Sequence, residues 1–241
     1  MNRSILDIKG LTKIYGGGKR AADDVSFSVG AGEIVGFIGH NGAGKTTTLK
    51  ASVGIITFDN GEILIDGISI KKDPVACKKL VSFVPDTPTL YSYLTGYQYV
   101  NFICDLYGVP SEHRKTRIDE LAVKFELNHA LGDLISSYSH GMQQKTALIA
   151  ALITNPKLLI LDEPFVGLDP RAFVNLKEIL SDFCEQGGAV LFSSHVLDVV
   201  ERLCHKLVII RQGKIIATGA IEDILGNQSL ETVFLEVTGR D

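Results

Sequence analysis

The early part of the chain sets apolar against polar residues in short alternating runs, each cut by glycine or a small polar cluster, which is the period of half-buried strands. Strands are predicted over Ile5 to Tyr15, Ala22 to Val29, Glu33 to Ile38 and Gly61 to Gly67, with a helix from Gly44 as the one early interruption. From Leu94 the period becomes helical: Tyr99, Ile103, Leu106 and Tyr107 share a face, and Gly108 and Pro110 stop it. A second helix is predicted from Ser111, and a third from near Ser139 to just before Pro156. These make an all-helical insert over residues 87–153, between strand-rich segments 1–86 and 154–241. Lys157 to Asp162 is then a continuous apolar run ending in a carboxylate, the pattern of a parallel strand buried on both faces. Asp169 as N-cap and Pro170 at the first helical position start another helix, whose stripe of Phe173, Leu176, Ile179, Leu180 and Phe183 ends at Gly187-Gly188. A further buried strand is expected over Ala189 to Ser194, and a hairpin over Lys206 to Gly219 turning at Gln212-Gly213.

Composition narrows the function classes. With 241 residues, 45% of them hydrophobic, the chain can bury a real core as one domain or as a core with one inserted subdomain. The formal net charge of −4, without any long Lys/Arg run, argues against nucleic acid or an anionic membrane surface as the main partner. No apolar leader follows Met1 and no segment approaches the ~18 apolar residues of a membrane span, so a soluble, cytoplasmic protein is expected. Cys77, Cys104, Cys184 and Cys204 lie far apart, without metal-site spacing, and read as ordinary reduced thiols.

The chemistry begins at Gly39-His40-Asn41-Gly42-Ala43-Gly44-Lys45-Thr46, which fits the phosphate-loop pattern G-x-x-x-x-G-K-S/T behind a predicted strand. Its glycines let the backbone curl around phosphates, so that successive N–H groups and the following helix N-terminus face negative charge. Lys45 reaches the terminal phosphates and Thr46 offers a hydroxyl to Mg²⁺. A nucleoside triphosphate is the implied ligand. Asp162-Glu163, at the end of the predicted buried strand, suits a division of labour in which Asp162 orients the Mg²⁺ shell and Glu163 polarises a water. Two acids at a strand end are, taken alone, more often solvated loop charges or an N-cap.

Other segments change that balance. Tyr138-Ser139-His140-Gly141-Met142-Gln143 precedes a helix, Gly167-Leu168-Asp169 follows the acidic pair, and His195 stands just past Ser193-Ser194. With these the chain resembles an ATP-binding cassette (ABC) ATPase over essentially its full length. The resemblance implies an α/β fold: a P-loop NTPase core of mixed parallel sheet, an antiparallel β subdomain and an inserted all-helical subdomain. It implies ATP and Mg²⁺ as cofactors, and an ATP site that takes in Thr47 beside the loop residues. Tyr15 occupies the place of the aromatic against adenine and Val25 that of a small apolar neighbour, although either residue alone reads equally as core. Ser139 and Gly141 match the family signature, Asp169 its D-loop and His195 its γ-phosphate switch; a lone histidine after a strand would otherwise be structural.

In such ATPases the signature closes on nucleotide held by another subunit, so a second ABC subunit is an expected partner. The short helical insert and single cassette resemble the bacterial exporter type, whose permease is a separate transmembrane polypeptide and which would hold this chain at the inner face of the membrane. Departures are present too. Asp86 stands where the family usually has glutamine and is expected to ligate Mg²⁺ directly or through water; His140, Met142 and Val166 replace other common residues. Leu90, Tyr91 and Tyr93 are candidate anchors for the permease, or equally core of the insert. Two other readings stay open: a regulatory ABC ATPase acting on a soluble complex, and an ATP sensor with little hydrolysis.

Overall fold

The computed structural model describes residues 3–239, so the reading of Met1 and Asn2 as part of a strand lead-in lies outside the described residues. In chain order the elements are β1 (Ser4–Tyr15), β2 (Lys19–Gly30), β3 (Ile34–Ile38), α1 (Lys45–Ser52), β4 (Asn60–Ile65), β5 (Ile68–Ser69), α2 (Pro74–Leu80) and β6 (Val81–Val84). Three helices come next, α3 (Gly96–Tyr107), α4 (Arg114–Lys124) and α5 (His140–Ile153). The chain then alternates through β7 (Leu158–Asp162), α6 (Pro170–Glu185), β8 (Ala189–Ser194) and α7 (Leu197–Leu203). It closes with β9 (Lys206–Arg211), β10 (Lys214–Ala220), α8 (Ile221–Leu225) and α9 (Leu230–Thr238).

Two sheets result, and the fold is α/β. One is antiparallel, in order β2-β1-β4-β5; the other has six strands in order β10-β9-β3-β8-β7-β6, parallel except for the β10–β9 hairpin. The central strands are buried on both faces, and their alternate residues feed two cores. Val35 and Phe37 of β3, Leu158 and Ile160 of β7, and Leu191 of β8 pack toward the antiparallel sheet. Ile34, Ile38, Leu159, Leu161, Val190 and Phe192 pack toward the helices. Each such fully buried side chain contributes roughly 1.5–3 kcal/mol, which is why unbroken apolar runs, rather than alternation, mark these strands in the sequence.

Helix boundaries follow local chemistry. Thr95 caps α3 with a full capping box, its hydroxyl accepting from Gln98 N–H and the Gln98 side chain accepting from Thr95 N–H. Asp169 caps α6 by accepting from Ala172 N–H at 2.9 Å, with Pro170 in the first turn. The segment from Ser111 opens as a single tight turn, Ser111–His113, before α4. Short elements have no counterpart in the sequence reading: α2, β5, β6, α7, α8 and α9. At two to nine residues they are too short to establish a period. Among the described residues no helix is long and apolar enough to cross a membrane.

The parallel register sets the position of the site. Ile38 pairs with Ser194 and Asp162 with Ser193, so the carboxyl ends of β3, β7 and β8 finish side by side. Those three strands lead into a phosphate loop, an acid pair and a histidine respectively, gathered at the sheet edge where open α/β sheets take their ligands.

Candidate active site

The loop after β3 closes on the N-terminus of α1. Gly44 holds φ = +113°, and a Cβ there would run into the Ala21 carbonyl oxygen, so no other residue fits this turn. Lys45 is 7% exposed and folds back on its own loop, Nζ donating to the Gly39 carbonyl at 2.6 Å and reaching the His40 carbonyl at 3.5 Å. Burial pulls its pKa below the ordinary lysine value, while the nearby Glu163 and Asp162 carboxylates push the other way. The ammonium thus rests on two backbone carbonyls of its own loop, with both carboxylates near it.

Asp162 is 1% exposed and anchored twice. Thr46 Oγ1 donates to Oδ2 at 2.8 Å, and Ser193 Oγ donates to Oδ1. Asp86 lines the same cleft, its Oδ1 accepting Thr87 N–H at 2.8 Å. A hydroxyl and two carboxylates, with no thiolate or imidazole among them, are the hard-oxygen donor set that Mg²⁺ takes, so these residues fit that ion.

Glu163 has φ = +50°, the left-handed region that few non-glycine residues adopt. Its N–H lies 3.0 Å from Ser193 Oγ and 3.2 Å from the Ser193 carbonyl, so β8 fixes the unusual backbone. The side chain meets His195, Oε2 lying 2.8 Å from Nδ1 and accepting the His195 N–H at 3.2 Å. A carboxylate oriented by a histidine, beside a phosphate loop, is the arrangement of a general base with its positioning partner. Ser193 therefore braces both acids. The sequence reading took it only as the end of a strand, although a serine closing an otherwise apolar run was the available signal.

Two adjoining clefts share these residues. The first, about 570 Å³, is lined by Tyr15, Lys19, Ala21, the loop residues His40 to Gly42 and Gly44 to Thr47, Asp86, Asp162 and Glu163. The second, about 460 Å³, is walled by Gly39, His40, Asn41, Asp86, Glu163, His140, His195 and Phe234. Tyr15 is 44% exposed at the cleft mouth, with Lys13 Nζ 5.3 Å from its ring centre. Val25 is not brought to the cleft: it is fully buried opposite Leu11 on β1, and Ala21 is the small β2 residue that lines the wall. The cause is a register shift between Leu11 and Lys13, which changes the face that successive β2 residues present.

The signature turn meets the second cleft only through His140. Ser139 is exposed and caps α5, its Oγ accepting Met142 N–H at 3.3 Å. Gly141 packs on the turn after β7, where an added Cβ would sit 2.7 Å from the Gly167 carbonyl oxygen. Lys145 of α5 pairs with Asp169 at 2.6 Å, tying signature helix to D-loop, and the Ala172 N–H together with Lys145 hold the Asp169 carboxyl below its ordinary range. Neither Ser139, Gly141 nor Asp169 lines the first cleft.

The family model described as "ABC transporter" matches residues 22–166. The ABC-type transporter ATP-binding protein EcsA of Bacillus subtilis is 33% identical over 245 residues, spanning 99% of this chain and 98% of the relative. The lipopolysaccharide export system ATP-binding protein LptB of Escherichia coli is 34% identical over 233 residues, spanning 95% and 96%. A solved structure of an ATP-binding subunit of an ABC transporter superposes with a TM-score of 0.93 at 33% identity, covering 98% of this chain and all of its own.

Proposed function

This chain belongs to the ABC transporter family as an ATP-binding protein, and we propose that it hydrolyses ATP as one half of a dimer that powers export through a separate transmembrane permease. One observation carries the reading: phosphate loop, acid pair and His195 share one edge, while Ser139 is exposed at the head of α5 and neither it nor Gly141 lines the two clefts, which reach this turn only at His140. Each chain thus holds the main part of one ATP site and the complement of another. The division into a core of residues 1–86 and 154–241 and a signature lobe of 87–153 belongs to the same proposal.

In this mechanism adenine rests against Tyr15, and the triphosphate runs along the loop toward the N-terminus of α1. Lys45 leaves the Gly39 carbonyl for the β- and γ-phosphates. Thr46, Asp162 and Asp86 would hold Mg²⁺, which when bound would neutralise phosphate charge. Glu163 orients a water and accepts its proton as the water oxygen bonds to the γ-phosphorus and the bond to the ADP oxygen breaks. His195 fixes the Glu163 carboxylate and faces the γ-phosphate. Ser139 Oγ and the α5 N-terminus of a second chain cover the phosphates from the other side, with Gly141 allowing close approach.

A groove of about 170 Å³ supports the permease contact. Pro88, Leu90, Tyr99, Ile103 and Tyr107 are among its lining residues. Beside it the rings of Tyr91, Tyr93, Tyr99 and Phe102 form a chain with Tyr91 centroid distances of 5.8, 6.2 and 5.6 Å, and Tyr93 is 72% exposed. Exposed aromatics next to an apolar slot suit a short helix from a membrane protein, which would hold this chain at the membrane's inner face. LptB, by its name, serves an export system, and this favours outward transport here.

The test is to tag the Glu163→Gln variant, solubilise its cells in mild detergent with Mg-ATP, and identify what accompanies it. A polytopic membrane protein in stoichiometric yield supports the transporter reading. Ribosomes or a soluble machine without a membrane partner would replace it by the regulatory reading, and full turnover in the variant would remove Glu163 as the base.

A further inference from the structure

The phosphate loop touches a part of the chain far from it in sequence. Phe234 of α9 meets His40 of the loop with ring centroids 5.0 Å apart and planes inclined by 53°. His40 is the corner of that loop: its carbonyl accepts Ala43 N–H at 3.1 Å and is the second acceptor of Lys45 Nζ, at 3.5 Å. The start of α9 is fastened elsewhere. Leu230 N–H donates to the Glu201 carboxylate at 2.8 Å, and Glu201 lies on α7, the helix that begins two residues after His195. Leu230 and Val233 are buried, so α9 is seated by packing as well. It therefore runs from α7 to the loop, and Phe234 forms part of the second cleft's wall with Glu163 and His195.

We infer that Phe234 is a positioning residue for nucleotide binding, holding the His40 corner so that the loop is shaped before ATP arrives. The inference rests on the ATPase reading given above. A loop corner held by a ring contact loses less freedom on binding than a free one, so its removal weakens nucleotide capture more than it slows the chemical step. Because the contact passes through the His40 ring, its effect must vanish when that ring is absent.

The test is a double-mutant cycle of Phe234→Ala and His40→Ala, read by KM and kcat for Mg-ATP hydrolysis and by the melting temperature without nucleotide. Phe234→Ala should raise KM roughly three- to tenfold, the range of an aromatic pair, while kcat changes by less than about half as much on the same logarithmic scale. In the His40→Ala background the same change should move KM by less than about twofold, and Phe234→Tyr should restore wild-type KM. Equal KM effects in both backgrounds, or a fall in melting temperature with KM unmoved, would overturn the inference. Should Phe234→Ala yield no folded protein, Phe234→Leu, which keeps bulk without a ring, carries the same cycle. A wild-type chain that binds no ATP would instead overturn the ATPase reading itself, a result distinct from both.

Discussion

The cleft at the strand ends and the turn before α5 each open on a helix N-terminus where the proposed mechanism seats phosphate, yet they are held in opposite ways. In the cleft, Asp162 is 1% exposed and bonded on both oxygens, Glu163 is fixed through backbone and side chain, and Lys45 is 7% exposed. At the turn, Ser139 is exposed, its cap bond is 3.3 Å long, and a single ion pair, Lys145–Asp169, ties the helix to the D-loop. A site that performs chemistry must hold its groups before substrate comes, because reorganisation during reaction raises the barrier. A site that completes another chain's pocket must instead stay open, and its ordering belongs to closure. In the proposed mechanism, burial and bracing therefore separate the half that reacts from the half that recognises.

The comparison breaks first at Glu163. Glu163→Gln should lower kcat by about a thousandfold, within the range for removing a general base, while the Kd for ATP measured by calorimetry changes little; a drop below about tenfold would show that bracing at the cleft does not serve catalysis. On the other half, Gly141→Ala sets a methyl against the Gly167 carbonyl. It should leave ATP binding by the single chain intact and lower steady-state turnover about tenfold or more by obstructing closure.

How much of this was legible in the sequence divides along the same line. The strands that carry the cleft are long apolar runs, and the loop pattern G-x-x-x-x-G-K-S/T needs no tertiary context, so Lys45, Thr46 and Asp162 could be named before any coordinates. Val25 reads in the sequence as the small apolar neighbour of adenine, whereas a shift in the β1–β2 register leaves it buried opposite Leu11 and Ala21 lining the wall, a matter of pairing that no local pattern displays. Phe234 carried no signal at all. Its meaning comes from meeting His40 across nearly the whole chain, and the helix that carries it, at nine residues, has too few turns to announce itself. Ser193 lies between these cases, since a buried serine pair closing an apolar strand could have been read as a brace for the neighbouring acid.

Ser193→Ala sharpens the comparison on the stability side. It leaves Asp162 Oδ1 short of its donor in a buried setting, while the Glu163 N–H keeps the backbone carbonyl of residue 193, for an expected loss of about 1–3 kcal/mol in urea denaturation, with turnover lowered as well. The smallest effect lies at Asp169. Its carboxyl is held below the ordinary aspartate value of 3.8 by the Ala172 N–H and Lys145, so it stabilises the fold fully above the unfolded pKa and less as pH falls through the folded one. Asp169→Asn keeps an N-capping side chain and removes the charge. The wild type should exceed it by about 0.5 kcal/mol near neutrality, the scale of a half-exposed ion pair, with the gap in urea midpoints constant above roughly pH 5 and closing as pH falls below about 4. A gap that widened on acidification would contradict the assignment.

The central claim is that each chain carries the reacting half of one ATP site and the covering half of another. It is tested most directly by light scattering on the Glu163→Gln variant with and without Mg-ATP, nucleotide occupancy being measured on the same sample. The account predicts the 26.1 kDa mass of one chain without nucleotide and twice that mass with ATP bound. A variant that holds ATP at full occupancy and keeps the mass of a single chain would contradict it.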